Sequence, residues 1–150
     1  MQASPGIKRY GVVGVVGVVV AGLLLAPAAA GAAPAAAQGL WLTAAKDAVV
    51  EFAPCADAAT ALCGRIVWDK DAGTATDTCG VQIARLARED GDTWRDGWAF
   101  DPRSGKRYKA TLRASGKSLD LRAFVGVEVL GETERFTRVQ ALPSTPVCAK

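Results

Sequence analysis

The 150-residue chain contains no histidine. That removes Ser-His-Asp and Cys-His catalysis and every His-ligated metal site. Paired carboxylates are what remain for acid–base work. Asp101 with Glu132 or Glu134 is the type of pair that glycosidase-like chemistry needs, one group as acid and the other as base or nucleophile. Asp101, however, opens a proline turn, and Glu132 and Glu134 read as surface positions. Ser104, Ser115 and Ser118 lie in or beside turns with no base to activate them. We therefore read no catalytic constellation and expect a protein that is not an enzyme and uses no cofactor.

The four cysteines, Cys55, Cys63, Cys79 and Cys148, are the other reactive set. The gaps between them are 7, 15 and 68 residues, without a C-x-x-C. This argues against a four-thiolate zinc site and against a redox-active pair. An even number in an exported chain reads as two disulfides, with three connectivities open. Of these we favour Cys55–Cys63 across a short loop and Cys79–Cys148 as a pin for the C-terminus.

Export is expected from the first 37 residues. Lys8 and Arg9 form a basic start, GVVGVVGVVVAGLLL (11–25) is a short apolar core, and APAAAGAAPAAAQ follows with small residues. These are the three parts of a secretory signal peptide, and the strongly apolar part is shorter than the ~20 residues of a membrane span. We place the cut after Ala37, with a site near Ala30 as the alternative that would leave a longer tail. No cysteine sits at the cut, so lipid attachment is not expected. Residues 38–150 then form one disulfide-containing domain, periplasmic or secreted, with no stable membrane span and monomeric. The leader holds two of the 18 bases and none of the 15 acids, so the mature net charge falls to about +1. Nucleic acid is thus not an expected partner.

The elements that must position any site are strands, because the dominant period is two. In KRYKATLR (106–113), Tyr108, Ala110 and Leu112 share one face, opposite Arg107, Lys109 and Arg113. In SLDLRAFVGVEVL (118–130) the inward set runs Leu119, Leu121, Ala123, Val125, Val127, Val129, interrupted at Gly126, which bends one long strand or separates two. AVVEF (48–52), RIVW (65–68) and TERFTRV (133–139) are further strands, and DPRSG and ASGK supply turns. Strands 10–15 residues apart suggest an antiparallel meander that closes into a barrel, a partly open roll or sandwich being the alternative. VQIARLARED (81–90) places Ile83, Leu86 and Ala87 at helical spacing, although Val81, Ile83 and Arg85 also alternate. We read it as one short helix.

GLW at 39–41, PCADAATALCGRIVW (54–68), DGWAFDPRSGKRY (96–108) and LRAFVGVEVLGETERFTRV (121–139) together resemble the DUF2147 family of small exported bacterial proteins. Phe136 stands where that pattern has Trp, and Ala123 where Gly is commoner. The resemblance implies export and an all-β fold, and brings no activity. Gly39-x-Trp41 on a first strand with Arg138 on the last is also similar to the calycin pattern of lipocalins. That resemblance implies a Trp plugging one barrel end with an Arg over its ring. A buried indole contributes about 150–250 Å² of area and a stacked guanidinium about 0.5–2 kcal/mol.

Two functions follow. In the first, the barrel binds one small hydrophobic or amphipathic ligand, with Trp68, Trp98, Tyr108 and Phe124 as lining candidates; core packing is the competing use of each. In the second, an envelope interaction protein docks on an anionic surface through Arg103, Lys106, Arg107, Lys109, Arg113, Lys117 and Arg122, with no ligand in the barrel. The competing use of that stripe is a solvated outer face that blocks edge pairing.

Overall fold

The computed structural model describes residues 36–149; the leader expected over residues 1–37 lies outside them, apart from Ala36 and Ala37. Nine strand segments follow in order: β1 (Gly39–Leu42), β2 (Ala48–Cys55), β3 (Ala58–Asp69), β4 (Gln82–Leu86), β5 (Arg88–Asp90), β6 (Thr93–Asp101), β7 (Lys106–Ser115), β8 (Ser118–Phe124) and β9 (Glu132–Val139). A 3-10 turn at Glu128–Leu130 lies between the last two. Antiparallel neighbours run in sequence order, β9 returns to pair with β1, and β4 pairs with β6. β5 continues β4 past Ala87, whose N–H donates to the Arg95 carbonyl at 3.0 Å, so the wall has eight strands. The result is a closed antiparallel β-barrel. Closure leaves no wall strand with an unpaired edge.

Alternation builds this wall. In β7, Ala110 and Leu112 are buried while Arg107, Lys109 and Arg113 point out. Their partners Ala123 and Leu121 on β8 face in beside them. The lower half of the interior holds the bulk, with Trp41, Phe52, Leu62, Leu86, Leu112, Leu119 and Phe136 essentially inaccessible. Outside, Cys55–Cys63 clips β2 to β3, and Cys79–Cys148 ties the β3–β4 loop to the C-terminal segment. Bridges of this kind typically contribute about 2–4 kcal/mol each.

Two expectations are corrected. Residues 81–90 form β4 and β5, not a helix. Register shifts between Gly64 and Arg65 on the β3 side, so Gly64 faces Ala84 and Arg65 faces Gln82, leaving Ile83 as the extra residue of a bulge. A bulge buries two successive residues, here Ile83 and Ala84, and thereby imitates helical spacing toward Leu86. The second correction concerns the inward run expected to continue from Leu119 through Val129. It stops at Phe124. Gly126 takes φ 75°, a left-handed conformation open to glycine, and the chain leaves the sheet. Val125, Val127, Val129 and Leu130 are exposed.

The barrel is shut at one end by Trp41. Its ring is fully buried, its Nε1 donates to the Ala37 carbonyl at 2.9 Å, and the Arg138 guanidinium carbon lies 4.0 Å from the ring centroid. Trp41 and Arg138 are also register partners across the β1–β9 seam. Arg138 donates further to the Gln38 carbonyl at 2.8 Å and to that of Ala36. Gly39 is needed for this arrangement: it has φ 115°, and a Cβ there would sit 2.9 Å from Arg138 Nη1. Replacing Trp41 with Ala should cost about 3–5 kcal/mol in denaturant unfolding. A loss below about 1 kcal/mol would show that the ring does not hold the barrel end.

Candidate functional site

The upper half of the barrel is not filled. Where the lower interior has Phe, Trp and Leu, the upper wall has Ala48, Ala99 and Ala123, and a cavity of about 630 Å³ opens there. That volume is within the usual range for small-molecule sites. Its apolar walls come from Val50 (β2), Ile66 (β3), Ile83 (β4), Leu121 (β8) and Phe136 (β9). Its mouth is formed by the β1–β2, β3–β4, β6–β7 and β8–β9 connections.

Carboxylates collect at this mouth. Asp47 and Asp69 are the two buried acids among the described residues, 7% and 6% exposed. Asp47 accepts from the Thr43 hydroxyl at 2.7 Å and from Arg103, 56 residues away. Burial pushes its carboxyl up, but the Arg103 and Thr43 hydrogen bonds and the guanidinium charge outweigh that and hold it below its ordinary value. Asp69 organises the β3–β4 loop by accepting the N–H groups of Asp71 and Thr78, both at 2.8 Å, and the Thr78 hydroxyl. Its burial too is outweighed by those donors, against the repulsion of Asp47. Asp101 accepts from the Ser104 hydroxyl at 2.7 Å and the Arg103 N–H at 2.9 Å, which tightens the β6–β7 turn and keeps the group ionised.

Glu134 differs from these. It is the register partner of Leu121 and two residues from Phe136, both inward, so it stands on the cavity side of β9. Among the described residues it has no hydrogen-bond or ion-pair partner, nor does Glu132. The Glu134 side chain is solvent-exposed on that side. The partial desolvation imposed by the surrounding walls pushes its carboxyl up, Asp47 and Asp101 push it further, and Arg103 opposes them. The acids paired on sequence grounds, Asp101 with Glu132 or Glu134, thus line one cavity.

The four proposed lining aromatics separate. Tyr108 and Phe124 line the cavity; Trp68 and Trp98 do not. Trp98 pairs with Lys109 on the outer face, with the Arg107 guanidinium carbon 4.0 Å from its ring centroid. Trp68 is buried beside its partner Val49, and neither belongs to the interior cluster. Val49 faces away by ordinary alternation between Ala48 and Val50. The bulge beside it, with Val67 as the extra residue of β3, sets Trp68 opposite Val49 instead of in the inward row of Leu62 and Ile66. The residues that sequence reasoning missed are Asp47, Asp69 and Arg103 as a unit. No local signal joins them, because three different connections bring them together.

The basic stripe is largely engaged within the molecule. Arg103 binds Asp47, Arg107 covers Trp98, and Arg113 donates to Thr93 at 3.0 Å and approaches Asp92 at 3.3 Å. Arg122 donates to the carbonyls of Glu128 and Val129 at 2.8 and 2.9 Å, which pins the apolar lip of the cavity.

Residues 39–138 match the family described as "Uncharacterized protein conserved in bacteria (DUF2147)". The chain belongs to the DUF2147 family. No curated protein matches it. Among solved structures it is similar to protein HP1028 of Helicobacter pylori, described as belonging to the lipocalin family. The TM-score is 0.52 at 14% identity, covering 69% of this chain and 83% of that one. The barrel of this DUF2147 member is therefore lipocalin-like in fold.

A carboxylate raised by its site weakens the fold once it must ionise. Glu134 therefore costs nothing below the ordinary glutamate value of 4.5 and lowers stability as pH rises through its raised value. Glu134→Gln should raise the Tm at pH 7, with the gain vanishing below pH 4.5. Thermal melts across that range check the sign, and a gain that persists in acid would remove the electrostatic explanation.

Proposed function

We propose that this DUF2147 protein is an exported, non-catalytic barrel that reversibly holds one small amphipathic molecule, its apolar part inside the barrel. The observation that carries the reading is the contrast between the two halves of the interior. A barrel of this size can be filled by its own side chains or can hold one ligand. This one is filled only below. The apolar lip of Val125 and Leu130 continues the wall to the entrance. Binding is favoured over catalysis because both oxygens of Asp101, the carboxylate best placed to pair with Glu134 on sequence grounds, are engaged by its own turn. Export is supported by the two disulfides and the three-part leader.

The plug bears on where such a leader is cut. Ala37 is 1% exposed, and a cut after it would remove the acceptor of Trp41 Nε1 and one carbonyl held by Arg138. A site near Ala30 keeps both. The intact mass of protein recovered from the periplasm should correspond to a first residue before Ala36. A mature chain that starts at Gln38 would refute this placement.

The carrier reading is tested with an apolar fluorescent probe such as N-phenyl-1-naphthylamine. Ala99 lines the cavity, so Ala99→Phe fills it and should weaken probe binding about tenfold or more, at an overpacking cost of about 1–3 kcal/mol. Ala123→Leu serves if the first variant misfolds. No probe binding by the wild-type protein, or equal binding by wild-type and folded filled variants, would sink the reading.

A further inference from the structure

We infer that the molecule this barrel takes is an amphiphile with a cationic, ammonium-type head group, bound tail-down with the head at Glu134 in the carboxylate ring of the mouth. This rests on the carrier reading and adds the chemical class of the ligand.

Five carboxylates line the cavity, Asp47, Asp69, Asp101, Glu132 and Glu134. Arg103 is the one base among the described lining residues. Its guanidinium is engaged by Asp47. Asp69 and Asp101 take hydrogen bonds from hydroxyl and amide donors, which satisfy lone pairs and cancel no charge. Glu132 and Glu134 have no such donors among the described residues. The ring therefore carries an uncompensated negative charge above apolar walls, and low-dielectric walls concentrate such a field toward the entrance. A fatty acid or phosphate head would meet repulsion there, whereas an ammonium group meets complementary potential.

The position of Glu134 makes it the anchor. It lies one strand across from Leu121 and two residues above buried Phe136, at the boundary between the charged mouth and the apolar interior. An alkyl chain packed against Val50, Ile66 and Leu121 would bring its head to this level. The repulsion that Asp47 and Asp101 exert on Glu134, opposed by Arg103, is what a bound cation would relieve.

The test compares three ligands with one ten-carbon tail, decylamine, decanol and decanoate, by titration calorimetry at pH 7 and low salt. Decylamine should bind about tenfold or more tighter than decanol, and decanoate weakest, with the preference shrinking as salt rises. In Glu134→Gln the ratio of amine to alcohol affinity should fall about tenfold; Glu132→Gln is the second variant if the first does not fold. Decanol binding as tightly as decylamine, or decanoate tightest, overturns the head-group inference and leaves the carrier reading standing. No binding of any of the three overturns both.

Discussion

The stacked contact between Trp41 and Arg138 is the constraint on which the rest of this barrel depends. A meander of strands becomes a barrel only when the first strand meets the last, and β1 has just four residues with which to do so. Three register pairs on the β9 side are few hydrogen bonds for a seam that must hold the wall shut. The indole and guanidinium add a side-chain interaction at the same place, linking β1, β9 and the residues before β1. Because Arg138 also binds backbone carbonyls at Gln38 and Ala36, the seam and the barrel floor are one structure.

A closed floor divides the interior. Large side chains crowd the lower half because Trp41 gives them a surface to pack on. In the upper half, alanines at Ala48, Ala99 and Ala123 leave space between the larger wall residues, and connections between strands form the rim. Loops carry function when a rigid scaffold holds them, and here the loops are held by specific bonds. Asp69 organises the β3–β4 loop, Asp101 the β6–β7 turn, and Arg122 the segment before β9. Gly131 also allows close approach, since a Cβ there would meet the Ala123 carbonyl at 2.6 Å. The mouth is thus built of connections, yet each is fastened to the wall.

How much of this was legible in the sequence follows from the range of each interaction. Period-two alternation is local, so β7, β8 and β9 could be read directly. The cysteine spacings and the G-x-W with a distant Arg carried long-range information because few residue types are involved. Alternation failed wherever the sheet is irregular. The bulge at Ile83 imitated a helix, and the shift at Val49 turned Trp68 outward. Gly126 was legible as a break, but not the direction taken after it, which depends on Arg122 reaching the carbonyls of Glu128 and Val129. The mouth was least legible. Asp47 and Arg103 are separated by 56 residues and look like ordinary turn residues until closure brings them together.

Local and global preferences agree through most of this chain and conflict at the mouth. A fold selected only for stability would not place Asp47 within reach of the charge of both Asp69 and Glu134, nor leave Glu134 unpaired beside Leu121. Places where a sequence departs from such consistency are where functional demands are expected to act. The lower half can offset the cost, because its buried aromatic and aliphatic side chains and the seam contact stabilise the barrel without involving the mouth. Moving the carboxylates to the floor would set unpaired charge against Trp41 and weaken the closure itself. Separating a stable, closed end from an electrostatically strained, open end is therefore what lets eight short strands support both a fold and a cavity.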